Sequence, residues 1–304
     1  MSKLRLSVGP HIHDSSSVRG IMLDVIIALL PATLAGCIIF GWQALSVIAV
    51  CVGCCISFEF LFNKLIKKKQ SVGDLSAIVT GLLLALNLPA NIPLWQAIVG
   101  SFFAIIVVKC LFGGMGCNMV NPAITARVFM IIAFGAMTTA AFPVDSVSTA
   151  TPLSGGEADT LTLLLGTHGG AIGETCAIAL IIGGIYLLIK RVITWHLPVV
   201  FVATVFVMSF LVGGFDVTMA LNQVLSGGLL IGAIFMATDY VTSPETPAGK
   251  IVAGIFCGVI TVMIRQWGNY PEGVSFAILL MNIIDPYISK WTARKVFGLG
   301  GAKK

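Results

Sequence analysis

Three stretches of this chain, Ile26 to Phe58, Leu75 to Val108 and Val192 to Phe215, contain no Asp, Glu, Lys or Arg. A helix of about 20 such residues crosses the hydrocarbon of a bilayer, and the second stretch is long enough for two crossings. Of the 304 residues, 57% are hydrophobic and only 10% charged, where a soluble domain carries roughly a quarter charged. The surplus apolar surface has to face lipid. The composition therefore specifies an integral membrane protein and excludes a soluble dinucleotide-binding enzyme, a nucleic-acid-binding module and a disulfide scaffold. The net charge of +5 does not alter this, because the basic residues sit in short patches between apolar runs, where they meet a membrane surface and no nucleic acid.

Reading the apolar runs between Gly, Pro and charge predicts an all-α integral membrane protein with about ten transmembrane helices, near 21–40, 44–63, 75–89, 94–112, 122–142, 172–189, 198–214, 223–239, 248–266 and 273–289. With both termini cytoplasmic, 17 of the 18 basic residues fall on the inner side, Arg127 and Lys109 among them, and only Arg265 falls outside. The expected organisation is a cytoplasmic segment 1–20, a five-helix repeat 21–142, an extracytoplasmic loop 143–171, a second five-helix repeat 172–289 and a basic cytoplasmic tail 290–304. Ile21 to Phe40 reads as an anchor and not as a removable signal peptide, since no small-residue cleavage site follows it. An odd number of crossings per half inverts the second repeat relative to the first. Thr80-Gly81-Leu82-Leu83-Leu84-Ala85 is echoed by Ser226-Gly227-Gly228-Leu229-Leu230-Ile231, each run being followed by a pair of prolines, Pro89 with Pro93 and Pro244 with Pro247. Both echoes lie in the third span of their half. Paired short, interrupted third and eighth helices mark backbone that lines a cavity, although the glycines would equally permit close helix packing.

Eight cysteines are scattered through the apolar runs without a loop framework, and even the Cys51-x-x-Cys54 pair reads as buried thiols. His11-x-His13 supplies two ligands, too few for a metal, and suits a contact with a neighbouring protein. Charges near membrane depth are a functional flag. Asp24 and Asp239 are the candidates for an ion path, weighed against the simpler reading that each sits at an interface and pairs locally, as Asp24 would with Arg19. Glu59 and Lys109 fall under the same simpler reading.

Two connections carry chemistry. In the cytoplasmic stretch Phe112 to Ala123, Asn121 before Pro122 has the form of a helix N-cap followed by the first helical residue, with Gly113, Gly114 and Gly116 in the turn before it. Such a helix end can hold a phosphate or an electron-rich ring edge, or the glycines simply make a tight turn. In the outer loop, Asp145-Ser146-Val147-Ser148-Thr149-Ala150-Thr151-Pro152-Leu153 gathers hydroxyls beside one carboxylate. By composition alone that is an ordinary loop.

The hydroxyl run resembles the site at which bacterial flavin transferases esterify FMN phosphate onto threonine, of pattern Asp-x-x-Ser/Thr-Gly-Ala-Thr. Asp145, Ser148, Ala150 and the acceptor Thr151 match, while Thr149 stands where glycine is usual. Around it the chain resembles the family that holds the D subunit of the Rnf ferredoxin:NAD oxidoreductase complex and the B subunit of the sodium-pumping quinone reductase. The resemblance runs through Ser7 to Pro10 with His11 and His13, Asp24 to Ala32, Gly73 to Pro93, Gly113 to Ala123, Asp145 to Leu153 and Ala237 to Gly249, and the length favours the Rnf branch. It implies ten helices in two inverted repeats in the bacterial inner membrane. It also implies covalent FMN on Thr151 at the outer face, and a multisubunit electron chain from ferredoxin to NAD that moves Na+ or H+. Maturation would need a flavin transferase. A non-covalent riboflavin toward the cytoplasmic side is also implied, for which Gly113, Gly114, Asn118 and Asn121 are the candidate residues. The isolated chain would have no complete activity, and no residue is assigned a catalytic or metal-binding role.

Fold alone does not separate this reading from a small-solute channel of the urea or ammonium type, or from a passive scaffold within a complex. Thr151 with Asp145 and Ser148 discriminates, because neither alternative requires a flavin acceptor.

Overall fold

The computed structural model describes residues 17–68, 70–134, 160–166, 168–268 and 272–293. Their regular structure is helical: α1 (Val18–Leu65), α2 (Ser76–Leu86), α3 (Leu94–Phe102, continued by a wider π-helical stretch Phe103–Cys110), α4 (Pro122–Ala133), α5 (Thr160–Leu165), α6 (Ala177–Ile189), α7 (His196–Val212), α8 (Val217–Leu225), α9 (Leu229–Ile231, continued by π-helical Gly232–Met236), α10 (Pro247–Trp267) and α11 (Val274–Thr292). A multi-pass membrane protein is the architecture these helices describe. The outward surface says the same, since Ile38, Trp42 and Trp291 are 82%, 79% and 83% exposed, a cost no soluble fold sustains over so many large apolar residues.

Helix α1 starts where Ser17 Oγ accepts from the Gly20 amide at 3.1 Å and runs for 48 residues. Gly41 breaks it with φ 62° and ψ −143°, a conformation open to glycine and to almost no other residue. Each side of the break is then about 35 Å long, one crossing apiece. At 48 residues and 21 residues, α1 and α10 are long and apolar enough to cross by length alone, and α8 with α9 forms a pair bent by 64°. Small residues let backbones meet: Gly254 and Gly258 of α10 lie against Val200 and Thr204 of α7, and Gly183 of α6 lies against α1. A Cβ at Gly183 would collide with the Ala28 carbonyl oxygen, whereas one at Gly53 meets nothing within 4 Å. Gly183→Val is therefore expected to lose about 3 kcal/mol, the upper end of overpacking costs. Gly53→Ala should leave the apparent melting temperature in detergent unchanged or slightly raised, and equal melting of the two variants would contradict the packing.

The short helices flank non-helical backbone held inside the bundle. After α2 ends, residues 86–88 run beside 172–173, with the Gly173 amide donating to Leu86 O at 2.7 Å and the Ile172 amide to Leu88 O at 3.0 Å. Backbone groups away from water need such partners. Gly173 has no room for a Cβ, which would meet that of Leu86 at 2.7 Å. This corrects the expected span at 172–189: the helix begins at Ala177, because the preceding segment is committed to pairing with 86–88. Three other boundaries move. Helix α4 ends at Ala133, the expected loop 143–171 contains helix α5, whose Thr160 Oγ1 donates to Asn222 Oδ1 at 3.2 Å, and α11 continues three residues into the expected tail.

Candidate functional site

A cavity of about 260 Å³ opens between the start of α1, α2, the turn before α4, and the residues after α9. Val25, Val79, Leu83, Leu187 and Phe235 give it apolar walls, and Ser76, Lys109, Asn118, Asn121 and Asp239 supply polar groups. The turn that closes one side is built by its glycines, with Gly113, Gly114 and Gly116 at φ 125°, 107° and 85°. It is tied back by the Gly114 amide to Lys109 O at 3.0 Å and by Lys68 Nζ to Gly113 O at 3.3 Å.

Asn121 caps α4 as its sequence position predicts. Its Oδ1 accepts from the Ala123 and Ile124 amides at 3.0 and 3.4 Å, and its Nδ2 donates to Met236 O at 3.3 Å. The Asn121 amide in turn donates to the Asn282 side chain at 3.0 Å, whose nitrogen donates to Thr242 O at 3.1 Å. One asparagine thus joins α4, the end of α9 and α11. The first free N–H groups of α4 already have Asn121 as acceptor, and Asn121 also lines the cavity. Asn118 donates to Val120 O at 3.0 Å and presents its side chain at the wall. Gly113 and Gly114 do not line the cavity; they set the turn that places Met115 and Asn118 there.

Of the two ion-path candidates, Asp239 lines this cavity, with Thr242 Oγ1 donating to it at 3.3 Å. Asp24 does not line it. Its partner is Tyr186, whose hydroxyl donates to Asp24 Oδ1 at 2.8 Å, and not the expected Arg19.

Lys109 and Glu59 form a buried ion pair. Lys109 Nζ lies 2.7 Å from Glu59 Oε2 and 2.6 Å from Ser76 Oγ. Glu59 Oε1 accepts from Ser71 Oγ at 2.5 Å, and Ser76 Oγ donates to Asp74 Oδ1 at 2.5 Å. Opposite charge and hydrogen bonds to Ser71, Ser76 and Asp74 offset the cost of burying the pair.

A second buried cluster was missed by sequence reasoning. Arg127, on α4, donates to Asn87 Oδ1, to Glu174 Oε1 at 2.7 Å and to Glu272 Oε2. Arg265, on α10, donates to the Gln223 and Ser226 carbonyls at 2.5 and 3.1 Å, closing the carbonyl end of α8. It lies in the field of the same two glutamates. Arg127 and Arg265 are thus drawn into one buried cluster with Glu174 and Glu272. The available signal was that each arginine interrupts an apolar run with no acidic residue in helical register beside it.

Asp145, Ser148, Ala150 and Thr151 lie outside the described residues, as do His11 and His13. All eight cysteines are free thiols; Cys51, Cys55, Cys110 and Cys257 are buried and Cys117 is exposed.

The family model described as "NQR2, RnfD, RnfE family" matches residues 5–298. Among curated proteins, the D subunit of the Na(+)-translocating ferredoxin:NAD(+) oxidoreductase complex of Acetobacterium woodii is 45% identical, the alignment covering 100% of this chain and 99% of the relative. The D subunit of the proton-translocating ferredoxin:NAD(+) oxidoreductase complex of Clostridium ljungdahlii is 40% identical, over 96% of each. The D subunit of the ion-translocating oxidoreductase complex of Stutzerimonas stutzeri is 37% identical, over 93% of each. With its whole length aligned and its family model matched nearly from end to end, this chain belongs to the NQR2, RnfD, RnfE family.

Proposed function

We propose that this chain is the membrane-embedded D subunit of an ion-translocating ferredoxin:NAD oxidoreductase complex and relays electrons within it. The observation that carries the reading is similarity over the full length to three proteins named as the D subunits of such complexes. One of them is named for sodium and one for protons, so the proposal assigns ion translocation to the assembly without choosing the ion. In this reading ten crossings form two inverted five-helix repeats, 21–142 and 172–289, with both termini cytoplasmic and the loop 143–171 outside.

Two flavins serve the relay. FMN is esterified through its phosphate to Thr151, with Asp145, Ser148 and Ala150 as the pattern that a flavin transferase reads; this part rests on the sequence. A non-covalent riboflavin occupies the 260 Å³ cavity, whose make-up fits: apolar walls for the faces of a planar ring, and Asn118 and Asp239 as polar groups toward its edge, the usual composition of a cofactor pocket. A bound flavin supplies the capacity to take up and release single electrons; the protein supplies its position and its electrostatic surroundings. The Lys109–Glu59 pair fixes the wall beneath Ser76.

Chain purified from a host with a flavin transferase should carry one flavin that stays with it through denaturation and one that acid releases. Val79→Trp puts an indole into the cavity and should remove the releasable flavin while leaving the attached one at full level. A purified chain with neither flavin overturns the redox reading. Retention of the releasable flavin by Val79→Trp removes it from this cavity.

A further inference from the structure

Beside the flavin cavity lies a second one of about 300 Å³, enclosed by the turn from α6 to α7 and the connection from α9 to α10. The two share Val192, Ile193, Thr238 and Tyr240 as a partition, across which the Tyr240 hydroxyl donates to Val192 O. The second cavity differs in chemistry. Arg191 and Lys250 reach it from different elements, with Thr194 and Ser243 between them and Glu245 as the one carboxylate. Lys250 Nζ donates to Thr194 Oγ1 at 2.9 Å, which leaves two of its three donors free. Arg191 makes no ion pair or side-chain hydrogen bond to any described residue. Its φ of 56° is that of the left-handed residue closing α6, with the Arg191 amide donating to Leu188 O and the Val192 amide to Leu187 O, both at 3.0 Å, which fixes where the side chain leaves the helix end. An exposed guanidinium with no partner among the described residues, at the mouth of a cavity that a lysine also enters, is open to an anion.

The surroundings say where the anion comes from. Ile189, two residues before Arg191, is 75% exposed, and Trp195 and Tyr240 are each 54% exposed. Apolar surface beside half-exposed Trp and Tyr marks the level of the lipid headgroups. A basic pocket between transmembrane helices at this level suits an anionic headgroup. Side-chain charge in the cavity sums to one positive, two cations against Glu245, and a phosphodiester carries one negative. We infer that this cavity binds the phosphodiester of an anionic phospholipid, with the acyl chains lying along the exposed face of α6 beside Ile189.

The test uses the full-length, flavin-loaded chain, delipidated in detergent and titrated with phosphatidylglycerol, phosphatidylcholine or inorganic phosphate under native mass spectrometry. One tightly held phosphatidylglycerol per chain is expected, with phosphatidylcholine bound at least tenfold more weakly. A basic residue facing an anionic headgroup is worth about fivefold in affinity. Arg191→Gln and Lys250→Gln should therefore each weaken binding by about fivefold, and Glu245→Gln should tighten it. Attached-flavin content and elution volume matching the unmodified chain show that each variant is folded. Equal binding of the two lipids, or phosphatidylglycerol affinity unchanged in Arg191→Gln/Lys250→Gln, overturns the site. Displacement of the lipid by millimolar inorganic phosphate overturns the lipid as its occupant.

Discussion

Thr151→Ala is expected to abolish the ultraviolet fluorescence that migrates with the chain on a denaturing gel, while the amount of chain in the membrane stays at the unmodified level. The effect is complete because a phosphoester needs one acceptor oxygen and alanine has none. It is confined to the flavin because an isolated loop substitution shifts stability by no more than about 0.5 kcal/mol. Asp145→Asn and Ser148→Ala keep the acceptor and alter only what the transferase reads, so they should lower the labelled fraction without eliminating it. A Thr151→Ala band as bright as the unmodified one would place the attachment elsewhere. The prediction is independent of the cavity, where Val79→Trp is expected to remove the releasable flavin proposed there; the two variants should have complementary losses.

The apolar runs were legible because a lipid surround demands long uncharged stretches of sequence. Helices accordingly fall on each expected stretch, and α2 is short and α8 bends into α9 where glycines and prolines interrupt the apolar runs. The Asn121–Pro122 cap was legible for the same local reason, since an N-cap depends on two adjacent residues. What the sequence concealed depends on distant partners. Nothing local reveals that Asn121 also reaches Met236 O, 115 residues away, and so spends its donors on the scaffold. Nor does hydropathy show that residues 172–173 pair with 86–88, which shortens α6 at its start. The widened turns at Phe103–Cys110 and Gly232–Met236 leave no composition signal, because a π-helical turn uses the same residue types as an α-helix. Charge counting treats Arg127 as a solvated cation, and it gave no sign that Arg127 is 3% exposed with two carboxylates on it.

That cluster carries the second large effect. Arg127→Met removes the guanidinium from Glu174, which is 4% exposed, and leaves Glu174 and Glu272 facing each other with Arg265 alone to offset them. Breaking a buried pair from one side costs about 3–5 kcal/mol, because the surviving charge keeps its desolvation penalty without its partner. Arg127 also bonds Asn87, the first residue past α2, so the loss should spread to the 86–88 and 172–173 pairing and be read as a lower unfolding midpoint in denaturant titrations of the purified chain. Arg127→Lys retains the charge but not the planar fork that reaches three acceptors at once, and should fall between the unmodified chain and Arg127→Met. Adding Glu174→Gln to Arg127→Met removes the stranded charge, so the pair should be more stable than Arg127→Met alone, with a coupling of about 1–3 kcal/mol. If Arg127→Met unfolds within about 0.5 kcal/mol of the unmodified chain, the glutamates are not held as charged partners at this depth. The contacts would then fix geometry only, and the balance of two arginines against two glutamates would carry no stability.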